Sequence, residues 1–202
     1  FWYIPLQDDI VSVGIVAVKE YLYRESRDPA EIFAREIKKN AWIEDHLAQG
    51  EQFGQYWATG EFSYRSEYCA TDGLVLVGDA FSFLDPVFSS GVYLALRSGE
   101  LAADTIHQIF KDDGKFTAEK FKDYGKNFRN AVETMRKIVY AFYDEKFSFG
   151  KLIRKDATLR KPLTDCLIGN IDDQDFTNLF HTMSEFADLP DPVNYGDVLR
   201  TA

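Results

Sequence analysis

The sequence lacks most of what marks the commoner ligand and partner classes. Among its 202 residues there are two cysteines and three histidines. Cys69 and Cys166 have neither CxxC spacing nor a disulfide-rich context, which reads as two buried thiols in a cytoplasmic protein. His46, His107 and His181 are scattered, so no metal site is expected. Positive charge is scarce: 33 acidic residues against 23 basic ones give a net charge of −10. Without a basic stripe to neutralise phosphates, no nucleic-acid partner is expected. No apolar run approaches the ~20 residues a membrane-spanning helix needs, and no charged-then-apolar leader opens the chain, so neither a span nor a signal peptide is expected. The 13 glycines never form a Gly-x-Gly-x-x-Gly loop, and "GQYWATG" does not qualify as one.

What is present is core-forming. The chain is 46% hydrophobic and 15% aromatic, enough for one domain or two small ones. It opens "FWYIPLQDDIVSVGIVAV", already in strand-like sequence. Unpaired strand backbone is a liability, so the reading is of a fragment of a longer protein. Residues 1–18 read as two strands around a Gln7-Asp8-Asp9 turn, the second alternating at Val11, Val13 and Ile15. Pro29 starts a helical pattern carrying Ile32, Phe33, Ile37, Trp42, Ile43 and Leu47, in two pieces ending at Gly50. Residues 53–69 read as strand, turn, strand, and 74–77 as a buried strand. Helix 92–110 would bury a stripe of Val92, Ala95, Gly99, Ala102, Ile106 and Ile109. Small residues in that stripe imply close approach to another backbone or to a flat ligand. A long helix over 116–149, two more over 157–169 and 173–187, and an irregular tail "DLPDPVNYGD" complete the chain. The fold class is therefore α/β (α+β) with a helical C-terminal half, divided into domains 1–114 and 115–202.

The stretch "GLVLVGDAFSFLDPVFSSGV", residues 73–92, carries the chemistry. A strand ending in Gly78-Asp79 presents a carboxylate to a groove, and a polyol hydroxyl is its natural partner. The Ser89-Ser90-Gly91 turn leaves free N–H groups at the start of helix 92–110, where donors and helix dipole favour an anion or an electron-rich carbonyl. Taken singly, each reads as a Gly-Asp turn or an ordinary serine cap. Within twenty residues of each other, they describe one pocket for a polyol and an anion.

"VLVGDAFSFLDPVFSSGVYLALRSGELAA" resembles the second flavin-contacting motif of FAD-dependent monooxygenases of the hydroxybenzoate hydroxylase type, and most closely that of flavin-dependent halogenases. The resemblance implies an incomplete part of an FAD-binding monooxygenase-type fold. By it, Gly78 and Asp79 bind the ribityl chain of FAD, Pro86 sits beside the isoalloxazine, and the Ser90 and Gly91 amides hold halide near the flavin. "FWYIP" is similar to the end of the family's Trp-x-Trp-x-Ile-Pro signature, which assigns Trp2, Ile4 and Pro5, with Phe88, to the substrate pocket. "AFYDEKFSFGKLIRK" and "LTDCLIGNI" are similar to the family's helical C-terminal region. The family's glycine loop for the FAD pyrophosphate and its catalytic lysine are absent here, and the resemblance places both upstream. Phe88 stands where tryptophan-acting members carry glutamate, which implies a phenolic or carrier-bound substrate. The implied partners are a small aromatic substrate, halide and a flavin reductase.

Two alternatives stand beside this one: a flavin-dependent hydroxylase or prenyl-chain reductase that uses Asp79 and Pro86 without halide, and a non-catalytic interaction module that works through the helical half, with the motif a relic. Outside the motif, Arg97 and Glu100 read as a solvated i,i+3 pair and Glu145-Lys146 as a surface pair. Tyr140, Phe142, Tyr143, Phe147 and Phe149 would serve equally as a substrate channel or as packing.

Overall fold

The computed structural model describes residues 1–171 and 174–192. Of the sequence expectations, residue 173 of the last helix and residues 193–197 of the irregular tail lie outside the described residues. The chain is a helix-rich α/β arrangement that divides into two compact units, Phe1–Gly60 and Glu61–Ala202. Gly114 falls inside the second unit, so this division differs from one at 114/115.

In the first unit, β1 (Trp2–Pro5) and β2 (Val11–Gly14) pair antiparallel, with Trp2 opposite Gly14 and Pro5 opposite Val11. The Asp8-Asp9 turn has φ of 60° and 55°, the left-handed pair that matches the right-handed twist of a hairpin. Gly14 has a steric reason to be glycine: a Cβ there would lie 2.0 Å from the Trp2 indole. A short helix α1 (Lys19–Leu22) precedes α2 (Pro29–Ile37) and α3 (Ala41–Leu47), the two pieces the sequence implies. Asp28 caps α2 through the Ala30 N–H at 2.9 Å, with Pro29 at the first helical position. Asn40 caps α3 through the Ile43 N–H at 3.2 Å.

The strand-turn-strand expected over 53–69 does not form as such. Only β3 (Tyr64–Arg65) is a strand there. Phe53, Trp57 and Phe62 are exposed, so their alternation has no buried face to serve. Likewise 74–77 is not a buried strand. It contributes β5 (Leu74–Val75), which pairs with β4 (Ala70–Thr71) in a hairpin and leaves Leu74 half-exposed. β3 pairs instead with β6 (Ser82–Phe83), a strand the sequence reading does not contain.

The helices of the second unit follow their patterns more closely: α4 (Gly91–Asp112), α5 (Lys122–Tyr143), α6 (Phe149–Lys155), α7 (Arg160–Leu167) and α8 (Thr177–Met183). Gly114, at φ +68°, ends α4 by donating to the Ile109 carbonyl at 2.9 Å. α5 runs through two apolar clusters. Tyr124, Phe128, Val132 and Met135 join Phe81, Leu94 and Phe121 in the first, and Ile138 and Ala141 join Leu152, Leu163, Cys166 and Met183 in the second.

The phase of α4 departs from the expected stripe in its first two turns, while Ala102 and Ile109 are buried and Ile106 packs on the core as expected. Leu94, Ser98, Ala102 and Ile109 are buried, whereas Val92 and Leu96 are exposed by 74% and 72%. Small residues on both sides of the helix leave its apolar moment poorly defined in sequence, and the tertiary partner decides. That partner includes backbone: a Cβ on Gly78 would lie 3.2 Å from the Ala95 Cβ. The close approach implied by the small residues is thus made at Ala95.

Candidate functional site

Residues 78–91 form a chain of tight turns in the second unit. Gly78 opens a 3-10 turn, Gly78–Ala80, with φ +52°, a conformation an L side chain adopts only with strain. Its buried N–H donates to Ser98 Oγ at 2.7 Å, and Ser98 in turn donates to the Ala95 carbonyl at 3.0 Å. Ser98 is fully buried, so this serine pins the turn to α4. It is a positioning residue the sequence reading missed, since a lone helical serine carries no signal of a distant backbone partner.

The pinned turn projects Asp79 outward. Asp79 is exposed, and its carboxylate makes no hydrogen bond among the described residues. Its backbone carbonyl accepts from the Tyr64 hydroxyl, which ties β3 to the turn. A carboxylate on a backbone held from both sides, and not consumed internally, can accept hydroxyl donors from a ligand.

Asp85 is built differently. Its Oδ1 accepts the Val87 N–H at 2.9 Å, capping the second 3-10 turn, Pro86–Phe88, and also the Tyr143 hydroxyl at 3.0 Å. Burial and this bond push the Tyr143 phenol up to about 12. Asp85 is therefore a turn acid, already spent within the fold. Pro86 is exposed; Phe88 is half-buried, with its ring 5.5 Å from Phe142 and 6.3 Å from Phe149.

Ser89 takes the left-handed conformation, φ 53°, and donates to the Pro86 carbonyl at 2.8 Å. The positive φ of this turn falls at Ser89. Ser90 is the N-cap of α4 but makes no side-chain cap bond, so its hydroxyl does not cover the first-turn amides. A Cβ on Gly91 would meet nothing within 4 Å. The helix end is open, which suits an anion or a polar oxygen.

The structure thus brings Gly78, Asp79, Pro86, Phe88, Ser90 and Gly91 into one unit. Trp2, Ile4 and Pro5 stand on β1 in the other unit. Trp2 is 42% exposed, and its indole N–H donates to Ser12 Oγ at 3.2 Å. Outside the motif, Arg97 and Glu100 pair at 2.6 Å, but only Glu100 is solvated, since the Arg97 side chain is partly buried. Phe147 and Phe149 pack edge to face, while Tyr140, Phe142 and Tyr143 remain about half-exposed. Among the described residues no group of His, Cys, Asp or Glu could hold a metal, and no helix is long and apolar enough to cross a membrane. Burial pushes the Cys166 thiol up to about 12 and raises that of Cys69, so neither is a thiolate at neutral pH.

A model of the tryptophan halogenase family matches residues 1–157. The chain is 30% identical over 210 residues to a tryptophan 2-halogenase of Chondromyces crocatus, a match covering 100% of this chain and 39% of that protein. It is 29% identical over 170 residues to the 1H-pyrrole-2-carbonyl-(peptidyl-carrier protein) chlorinase of Pseudomonas fluorescens, covering 84% of this chain and 37% of that one. Its structure is similar to that of the flavin-dependent brominase Bmp2, with a TM-score of 0.73 at 26% identity, over 91% of this chain and 46% of that chain. In each case the chain spans less than half the length of its relative.

Proposed function

This chain belongs to the tryptophan halogenase family, and from that premise we propose that it supplies the ribityl-binding and halide-binding side of a flavin-dependent halogenase acting on an aromatic substrate, phenolic or carrier-bound. The family match across residues 1–157 carries the reading, because the turns at Asp79 and at Ser90-Gly91 lie within it. The residues fit a flavin: an exposed acid not spent within the fold, on a turn pinned to α4, and an open N-terminal end on the same helix. When bound, FAD supplies the oxygen-activating redox chemistry by which halide is oxidised.

The chain's own residues have narrower tasks. Gly78 lets the turn pack against Ala95, Ser98 fixes it, and Asp79 accepts ribityl hydroxyls. Pro86 gives a rigid edge beside the cofactor. The Ser90 and Gly91 amides at the α4 terminus hold a halide ion, with no side chain competing for them. Phe88 supplies apolar surface for the aromatic substrate; for Trp2, Ile4 and Pro5 the same task rests on the likeness to the family signature alone. The fold is part of an FAD-binding monooxygenase type, with domains 1–114 and 115–202, and the protein works in the cytoplasm with a separate flavin reductase. Phe88, in place of an acid, favours a phenolic or carrier-bound substrate over free tryptophan. Because these residues include no pyrophosphate-gripping glycine loop, the 202-residue chain is expected to bind FAD more weakly than ~1 μM.

The test is halide dependence in the flavin-loaded, reductase-coupled reaction. Exchanging chloride for bromide is expected to change the halogen in the product. Gly91→Val is expected to lower halide-dependent turnover about tenfold or more while leaving flavin reduction unchanged, since the side chain obstructs the amides and its Cβ has no neighbour within 4 Å in the fold. Ser90→Ala is expected to be mild. Oxygen insertion at an unchanged rate without halide would reject the halogenase reading in favour of a hydroxylase.

A further inference from the structure

Among the described residues of the second unit, only Ser89 combines a side chain with a positive φ. A left-handed serine costs free energy and persists only where its surroundings over-determine it. This one stands directly before Ser90 and Gly91, the open start of α4. What holds it there comes from the helical half of the chain.

Tyr143, the last residue of α5, donates its hydroxyl to Asp85 Oδ1 at 3.0 Å, and the same oxygen accepts the Val87 N–H at 2.9 Å. The Ser89 N–H then donates to the Pro86 carbonyl at 2.8 Å, closing the turn at the left-handed residue. The Leu94 N–H donates to the Ser90 carbonyl at 2.9 Å, the first bond of α4. Successive hydrogen bonds therefore lead from Tyr143 through residues 85–90 to the helix start. On the other flank, the Phe88 ring meets Phe142 edge to face at 5.5 Å and Phe149 at 6.3 Å. The turn is clamped by a hydroxyl on one side and by rings on the other.

The hydroxyl side can be removed by itself. Burial and the bond to Asp85 push the Tyr143 phenol up to about 12, so it stays a protonated donor across the neutral range. Phenylalanine at 143 would keep the ring beside Phe142, 5.3 Å away, and lose only the donor. Tyr140, three residues earlier on α5, is half-exposed like Tyr143, but its hydroxyl makes no hydrogen bond among the described residues. The same substitution there removes a hydroxyl with no such task.

We propose that Tyr143 is a positioning residue for the anion-binding end of α4: through Asp85 it fixes the Pro86–Phe88 turn and the left-handed Ser89, and so aims the Ser90 and Gly91 amides. This rests on the halide reading of those amides and adds to it a residue outside the motif. Donors already held in place lose less entropy when they take an ion. Loosening them weakens halide binding and leaves the steps after binding as they were.

The experiment compares the parent, Tyr143→Phe and Tyr140→Phe by amide NMR of the 202-residue chain. Hydrogen exchange is read at Val87 and Ser89, and a bromide titration at constant ionic strength is read at Ser90 and Gly91. Tyr143→Phe is expected to speed exchange about fivefold and to weaken bromide about threefold, with Tyr140→Phe matching the parent. In the flavin-loaded, reductase-coupled reaction, Tyr143→Phe is expected to raise the halide KM about threefold at unchanged kcat, a split that general loosening of the fold would not give. Unchanged exchange in Tyr143→Phe, bromide affinity equal to the parent's, a lowered kcat at unchanged KM, or the same losses in Tyr140→Phe each overturn the assignment. Faster exchange in Tyr143→Phe with no bromide shift in the parent rejects the halide reading and keeps Tyr143 as the clamp of the turn.

Discussion

Residues Phe1–Gly60 and the unit that begins at Glu61 are stabilised by different means. The first unit buries only Gly14, Ile32, Glu36 and Ile43, so one of its four buried residues is a carboxylate. Glu36 accepts from Arg24 at 2.6 Å, Arg35 at 2.7 Å and Tyr21 at 2.8 Å, with Lys39 at 3.6 Å. The second unit buries two apolar clusters, each fully buried large side chain worth ~1.5–3 kcal/mol. A unit organised around one charge depends on protonation. A unit organised around packed rings depends on volume.

The sharpest way to break that contrast is to remove volume from the second unit. Phe128 is fully buried, 5.6 Å from Phe81 and 6.3 Å from Tyr124. Phe128→Ala is expected to cost ~3–5 kcal/mol, read as loss of denaturant stability in the helix signal. A loss below ~1 kcal/mol would show that the cluster does not hold the unit together. The next effect is steric. Gly169, at φ +79°, lies under the Tyr93 ring, where a Cβ would come within 2.4 Å, and its carbonyl accepts the Tyr93 hydroxyl. Gly169→Ala is expected to cost ~1–3 kcal/mol from backbone strain, more than alanine at Gly91, where space is open.

Protonation is the matching test for the first unit. Burial alone would raise the Glu36 carboxyl, but the hydrogen bonds from Arg24, Tyr21 and Arg35 outweigh it and hold the group down at about 2. A depressed folded value means stability that is fully present above the ordinary carboxylate range and lost as pH falls toward 2. All three tryptophans, Trp2, Trp42 and Trp57, lie in this unit, so tryptophan fluorescence reads it directly. Glu36→Gln is expected to lower the fluorescence-detected midpoint at pH 7, with the gap to the parent closing by about pH 2. A gap independent of pH would assign the effect to packing rather than charge.

What was legible in the sequence follows the same division between local and distant causes. The Asp8-Asp9 turn, the Asp28-Pro29 start of α2 and the span of α4 depend on residues a few positions apart, and the sequence reading finds them. The α4 phase was legible at Ala102 and Ile109 but not in the first two turns, where Ala95 and Gly99 make either face passable and the burial of Leu94 and Ser98 is decided by tertiary packing. Nor were the β3–β6 pairing, the Tyr64 tie to Asp79 or the Ser98 pin, each of which joins residues 15 to 20 positions apart. Asp79 itself was legible as an acid on a glycine turn. The reason it stays available, that nothing described in the fold consumes its carboxylate, belongs to the tertiary structure.

The smallest stability effect is also the most discriminating for function. Asp79 and Asp85 stand six residues apart in one motif, and each follows or precedes a turn-forming residue. Asp85 caps the Pro86–Phe88 turn and holds the Tyr143 hydroxyl, so Asp85→Ala is expected to cost about 1 kcal/mol. Asp79 has no side-chain partner among the described residues, so Asp79→Ala is expected to change stability by no more than ~0.5 kcal/mol. Flavin affinity should rank them the other way. A charged acceptor lost from a ribityl hydroxyl weakens FAD about tenfold, whereas loss of a turn cap that leaves Asp79 in place changes it by less than ~twofold. Denaturant melts and FAD titrations on the same two variants therefore give opposite orders if Asp79 serves the cofactor and Asp85 serves the fold. Both measurements ranking Asp85 first would remove Asp79 from the flavin site and return the exposed acid to the status of a surface turn.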